Sequence, residues 1–275
     1  MPEHKINWMR VILILGLSFV LVGLHFAFTF YMVFSGDFID FWDLLVKKGF
    51  AESLFGVLLF VVIAKNTKMA DIKNVLQSIR VHIVLSTASL VIGVVLGILL
   101  QGVLQDVLKG TFEDLLWEAE MIQSIPSHEQ VLFIFGNNSR VAALSGVVNA
   151  FIPLFGPLVP IFSMLLNGTV IGLAPAIFGV GWSRFLLGIL PHGVLELPAL
   201  ILASAVGLKF SISLLKAVIG YFSPPAGVPG REQFLRQVRP GWYSLKLFAV
   251  IIPMLVVAAF IEIYITVRIL ELYGV

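Results

Sequence analysis

His192 and Glu196 stand four residues apart in one apolar stretch, and Glu262 stands in another. On a helix that spacing puts the imidazole and the carboxylate on one face. One nitrogen and two carboxylates make a donor set for a divalent metal such as zinc, with a coordination position left for water. Asn138, in a third apolar stretch, could polarise a substrate carbonyl or hold that water. Together these residues outline a metal-dependent intramembrane hydrolase in which one carboxylate doubles as base. The spacing is His-x-x-x-Glu, not the His-Glu-x-x-His of zinc proteases. The same two glutamates could instead carry protons, as in a proton-coupled permease. A structural role is the third reading. In lipid, amides and imidazoles bond across helices, and Arg140 could pair with Glu262.

The elements that must position these residues follow from composition. Of 275 residues 59% are hydrophobic and only 12% charged, and the mean hydropathy is +1.02. A soluble domain carries about twice that share of charge. Apolar runs fill the chain, so it reads as a single all-α transmembrane domain over residues 1–275. A membrane helix needs about 20 apolar residues. Seven candidates emerge, at 8–34, 49–64, 81–104, 131–152, 161–180, 185–208 and 242–270, of which 49–64 is the shortest. The first is too long for a signal-peptide core and reads as retained.

The loops sort by charge. Lys5, Arg10, Lys65, Lys68, Lys73, Arg80, Lys209, Lys216, Arg231, Arg236, Arg239 and Lys246 fall on one side of the alternating spans. Lys47, Lys48, Lys109, Arg184 and Arg268 fall on the other. The positive-inside rule then places the N-terminus in the cytoplasm, and a multi-pass protein of the cell membrane is expected. Two outer segments, 37–45 and 111–122, read as short interfacial helices, either plain connectors or docking surfaces. Ser127-His-Glu-Gln reads as a capping box opening the fourth span.

Polar groups inside spans are expensive and need a partner or a cavity. Asn137, Asn138, Arg140, Asn149, Asn167, His192, Glu196 and Glu262 all lie in the second half, while His25 alone interrupts the first three spans and reads as a packing group. Counting from the outer ends, Asn138 and His192 lie roughly 10 Å deep, Glu262 roughly 12 Å and Arg140 roughly 13 Å. Pro191 and Pro198 flank the His192–Glu196 stretch, which points either to a broken helix around a polar pocket or to a plain kink.

Cysteine is absent, so disulfides, thiolate metal sites and cysteine nucleophiles are excluded. A net charge of +2 gives no footprint for nucleic acid. No Gly-rich loop with lysine follows a strand, and Ser139 and Ser204 have no Ser–His–acid order around them.

Four segments carry a resemblance. Phe135-Gly-Asn-Asn-Ser-Arg-Val-Ala142, Asn167-Gly-Thr-Val-Ile-Gly172, Leu190-Pro-His-Gly-Val-Leu-Glu-Leu-Pro-Ala199 and Ala258-Ala-Phe-Ile-Glu-Ile-Tyr-Ile-Thr266 resemble, in order, motifs of the stage II sporulation protein M family. They cover about the last half of the chain. Residues 131–275 thus read as the family-like core and 1–130 as family-variable spans, with 49–104 resembling an addition to the pattern. In spore formers this family is a polytopic component of the assembly that remodels peptidoglycan during engulfment, holding partner hydrolases at the membrane. The resemblance therefore implies a membrane scaffold or accessory subunit. Its partners would be the bilayer and membrane or extracytoplasmic proteins. No cofactor is implied, a divalent metal being the addition suggested by the donor set. The prominent motif positions are Asn138, Asn167, Gly168, His192, Glu196 and Glu262, with Asn137 and Arg140 beside them.

Overall fold

In lipid every backbone N–H and C=O must be bonded within its own segment, and an apolar run satisfies this as a helix. The computed structural model describes residues 50–104, 123, 125–151 and 155–273. Every regular element among them is helical. In chain order these are α1 (Phe50–Ala64), α2 (Met69–Ser78), α3 (Arg80–Leu99), α4 (Ser127–Gly146), α5 (Leu158–Ile177), α6 (Trp182–Phe222), α7 (Gly230–Ser244), α8 (Phe248–Ile261) and α9 (Val267–Leu272). A 3-10 turn, Val148–Phe151, follows α4, and another, Leu245–Leu247, links α7 to α8. A π-helical turn, Glu262–Thr266, joins α8 to α9.

Among the described residues five stretches are long and apolar enough to cross a membrane: Arg80–Leu99, Ser127–Phe151, Leu158–Ile177, Trp182–Phe222 and Gly230–Leu272. The expected second span is α1, of which the 15 residues Phe50–Ala64 are described. The expected first span, His25 and both interfacial segments lie outside the described residues.

Three local expectations are corrected. Ser127 does not cap α4: the cap position is Pro126, and no side chain bonds there. Instead the Gln130 amide reaches back to the Ile125 carbonyl at 2.8 Å. Nor does α6 break at Pro191 or Pro198. A proline removes one hydrogen bond, and a long, packed helix absorbs that loss without ending. The helix also does not stop at Leu208. It runs for 41 residues, about 60 Å, straight past Lys209 and Lys216. Helix α7 folds back along this extension. The backbone of Gly230 meets Tyr221, that of Gly220 meets Gln233, and that of Gly241 meets Phe210.

Glycine decides how closely the spans approach. Gly93 and Gly97 of α3 face Gly168 and Gly172 of α5, each pair spaced as Gly-x-x-x-Gly. A Cβ on Gly168 would strike the Leu90 carbonyl, and one on Gly93 the Leu165 carbonyl. Such contact gives dispersion packing that larger side chains exclude. Hydroxyls then tie three helices together. Ser86 of α3 meets Ser204 of α6 at 3.0 Å, and Ser204 donates to the Pro160 carbonyl of α5 at 3.1 Å. The best-buried large side chains, among them Phe210 of α6 and Phe248, Ile251 and Leu255 of α8, belong to one core cluster.

At one end of the bundle Asp71 of α2 accepts three hydrogen bonds. Lys246 Nζ donates at 2.6 Å, the Tyr243 hydroxyl at 2.7 Å and the Lys68 N–H at 3.0 Å. The Lys246 ammonium above all, then the backbone N–H and the phenol, hold the Asp71 carboxyl well below the usual carboxylate range. The 65–80 and 209–246 segments thus share one end, in keeping with their common basic charge.

Candidate functional site: a His–Glu–Glu centre

Helix α6 presents His192 and Glu196 from one face, one turn apart. The π turn at the end of α8 presents Glu262. One ligand atom from each of the three lies within 4.8 Å of the others, and all three side chains are half-buried. Asn138 of α4 is buried, and its side chain lies beside the Glu196 carboxylate. Asn138, His192 and Glu262, expected at similar depth on three spans, and Glu196, expected one turn deeper than His192, therefore meet at one place.

The π turn is what seats Glu262. A π turn accommodates an extra residue in a helix and changes which side chains share a face; such turns recur at functional sites. Its last residue, Thr266, is buried. The Thr266 hydroxyl donates to the Ile261 carbonyl, five residues back, at 3.3 Å. The same oxygen lies 3.3 Å from His192 Nδ1. A hydroxyl has one proton. With that proton given to Ile261, Thr266 accepts from Nδ1–H, and Nε2 is left with its lone pair. Thr266 belongs to the fourth motif, but nothing in its type marked it as the group that orients the histidine.

The remaining sequence candidates lie elsewhere. Arg140 is exposed and bonds to Asn137 Oδ1 at 2.6 Å, so the expected pair with Glu262 does not form. Two residues past Asn138, Arg140 is about 200° around the helix from it, and its neighbour is the residue three back. Among the described residues neither Glu196 nor Glu262 has an ion-pair partner. Asn167 bonds within its own helix, to the Ser163 carbonyl at 2.8 Å. Gly168 serves the α3–α5 crossing. Asn149 is fully buried, donating to the Gly156 carbonyl at 3.0 Å and to Ser211 at 2.8 Å. It fastens the turn after α4 to α6. A separate, open apolar cleft is lined by Val57, Phe60, Ile252, Pro253, Val256 and Val257.

Comparison with known proteins points one way. The family model for stage II sporulation protein M matches residues 83–267, from within α3 to the first residue of α9, and so spans the whole centre. Uncharacterized protein MJ0706 of Methanocaldococcus jannaschii is 27% identical over 142 residues. That match covers 52% of this chain and 58% of the relative, so the chain spans less than two thirds of the relative's length. No solved structure matches.

Proposed function

Because the chain belongs to the stage II sporulation protein M family, we propose that it is a multi-pass protein of the cell membrane acting as a scaffold or accessory subunit of a larger assembly. Its N-terminus and basic end face the cytoplasm, and the His192–Glu196–Glu262 centre lies toward the outer face. Peptidoglycan remodelling is the setting in which such a scaffold works, with extracytoplasmic hydrolases as partners. The observation that carries this reading is the family match itself, which takes in five of the described helices and all four motifs. The glycine-lined crossings support it further, since they make a stiff frame on which loops can hold partners.

The test is recovery of the tagged chain from its native membranes after mild crosslinking. A stable partner with an extracytoplasmic domain, recovered in comparable amount from wild type and from His192→Ala, is the expected result. A chain that runs alone while His192→Ala abolishes its cellular role would overturn the scaffold. One observation favours a second reading, a metal-dependent intramembrane hydrolase: three potential metal ligands converge beside the Asn138 amide. That reading requires turnover of a lipid or peptide substrate by the purified protein, lost in Glu196→Gln.

A further inference from the structure

We propose that His192 Nε2, Glu196 and Glu262 bind one divalent transition metal, zinc being the best match, and that Thr266 positions the histidine for it. The inference does not rest on the scaffold reading. A structural metal would brace a scaffold, and a metal with an open position would serve a hydrolase.

Four observations carry it. Glu196 and Glu262 stand 66 residues apart in sequence, yet a ring nitrogen of His192 and a carboxylate oxygen of each glutamate lie within 4.8 Å of one another. Small χ rotations bring such atoms to the about 2.0–2.2 Å that zinc takes from nitrogen and carboxylate oxygen. The histidine is prepared: the Thr266 hydroxyl at Nδ1 leaves Nε2 as the free donor. A ligating histidine characteristically has its other nitrogen held in this way. Two carboxylates lie together, and among the described residues no Lys or Arg pairs with either. Like charges in a low-dielectric interior repel strongly, and a dication between them removes the repulsion. Finally, Glu262 sits at the first position of the π turn, so the helix is distorted where the ligand is presented.

The donor chemistry selects the metal. One imidazole and two carboxylates suit zinc, with manganese and ferrous iron weaker by the usual order of affinities. Calcium and magnesium prefer six or more oxygens. The Asn138 side chain lies beside Glu196, where an amide can orient the carboxylate.

The experiment uses the full chain in detergent or nanodiscs, stripped with chelator, reloaded with zinc and measured by elemental analysis. Wild type should retain one zinc per chain. His192→Ala and Glu262→Gln should retain none, each shown to be folded by helicity and a monodisperse elution profile. Thr266→Val should keep the stoichiometry but weaken affinity by about 10–100-fold, and Thr266→Ser should restore it. X-ray absorption at the zinc edge of the wild type, which needs no variant, should report one imidazole nitrogen among oxygen ligands. Folded wild type that holds no more zinc than His192→Ala overturns the site, as does an all-oxygen shell. Wild-type affinity in Thr266→Val overturns the positioning role.

Discussion

Asp71 and the Glu196–Glu262 pair are carboxylates in the same bundle, and the chain treats them in opposite ways. Asp71 is completed from within, by an ammonium at 2.6 Å, a phenol at 2.7 Å and a backbone N–H at 3.0 Å. Glu196 and Glu262 have each other and the His192 ring close by, and among the described residues no ammonium or guanidinium pairs with either. The sequence did not lack cations: Arg140 is two residues from Asn138, but it points outward to Asn137. The difference teaches what each place is for. A junction that only has to hold brings its own counter-charge. The proposed metal site, among the described residues, has no such counter-charge of its own. Breaking a buried pair by removing one partner is costly, while removing one of two repelling groups is not. The contrast therefore predicts opposite signs for similar substitutions.

The largest effect should come from supplying and withdrawing the cation. With free zinc at a hundredfold excess over its dissociation constant, linkage stabilises the folded wild type by about 2.7 kcal/mol. Thermal unfolding in detergent should show a zinc-dependent rise that chelator reverses. Glu262→Gln should lose that rise entirely, yet without zinc it should unfold no earlier than wild type. If metal-free Glu262→Gln is as damaged as an Asp71 variant, the pair is already complete and the contrast collapses.

Asp71→Ala comes next, at about 2 kcal/mol, with or without zinc. Both partners are largely covered, with Lys246 and Asp71 side chains 27% and 19% exposed, so the charge-assisted bonds keep much of their strength. The pH dependence has a fixed sign. Folding depresses the Asp71 carboxyl, so its stabilisation is complete above the unfolded value of about 3.9 and fades as the pH falls below it. Wild type and Asp71→Ala should converge in unfolding temperature as the pH is lowered from 6 toward 3. A gap that stays constant would mean the carboxylate charge contributes nothing.

Much of this was legible in the sequence, for reasons that differ by residue. Runs of about 20 apolar residues can only be helices in lipid, which gave the five long helices. The four-residue spacing of His192 and Glu196 fixed their common face, and counting depth along separate spans brought Asn138 and Glu262 to the same level. What failed was whatever depends on local backbone geometry. The π turn has no marker in Glu-Ile-Tyr-Ile-Thr, so the role of Thr266 was invisible. Two prolines suggested a break in α6, yet the irregular backbone lies across from them, at 262–266. The expected Arg140–Glu262 pairing fails because equal depth does not give equal azimuth: Arg140 faces away from the centre and bonds to Asn137. The Gly-x-x-x-Gly spacings at 93/97 and 168/172 do carry a sequence signal for the close α3–α5 crossing that Gly168 serves.

The smallest effect tests whether charge, and not burial alone, separates the two regions. Ser204 is fully buried and binds Ser86 and the Pro160 carbonyl, so by burial it outranks every carboxylate discussed above. It carries no charge, and hydroxyl bonds between helices in membranes average about 0.6 kcal/mol because the separated helices find other partners. Ser204→Ala should therefore lower the unfolding temperature only slightly, by the same amount at pH 3 and pH 6 and with or without zinc. Double substitution with Ser86→Ala should add almost nothing, since the two hydroxyls share one bond. If Ser204→Ala costs as much as Asp71→Ala, satisfaction of any buried polar group governs this bundle, and the bare Glu196–Glu262 pair loses its special meaning. If the cost stays near the membrane average, charge and not burial sets the Glu196–Glu262 pair apart among the described residues, and a bound cation is its physical remedy.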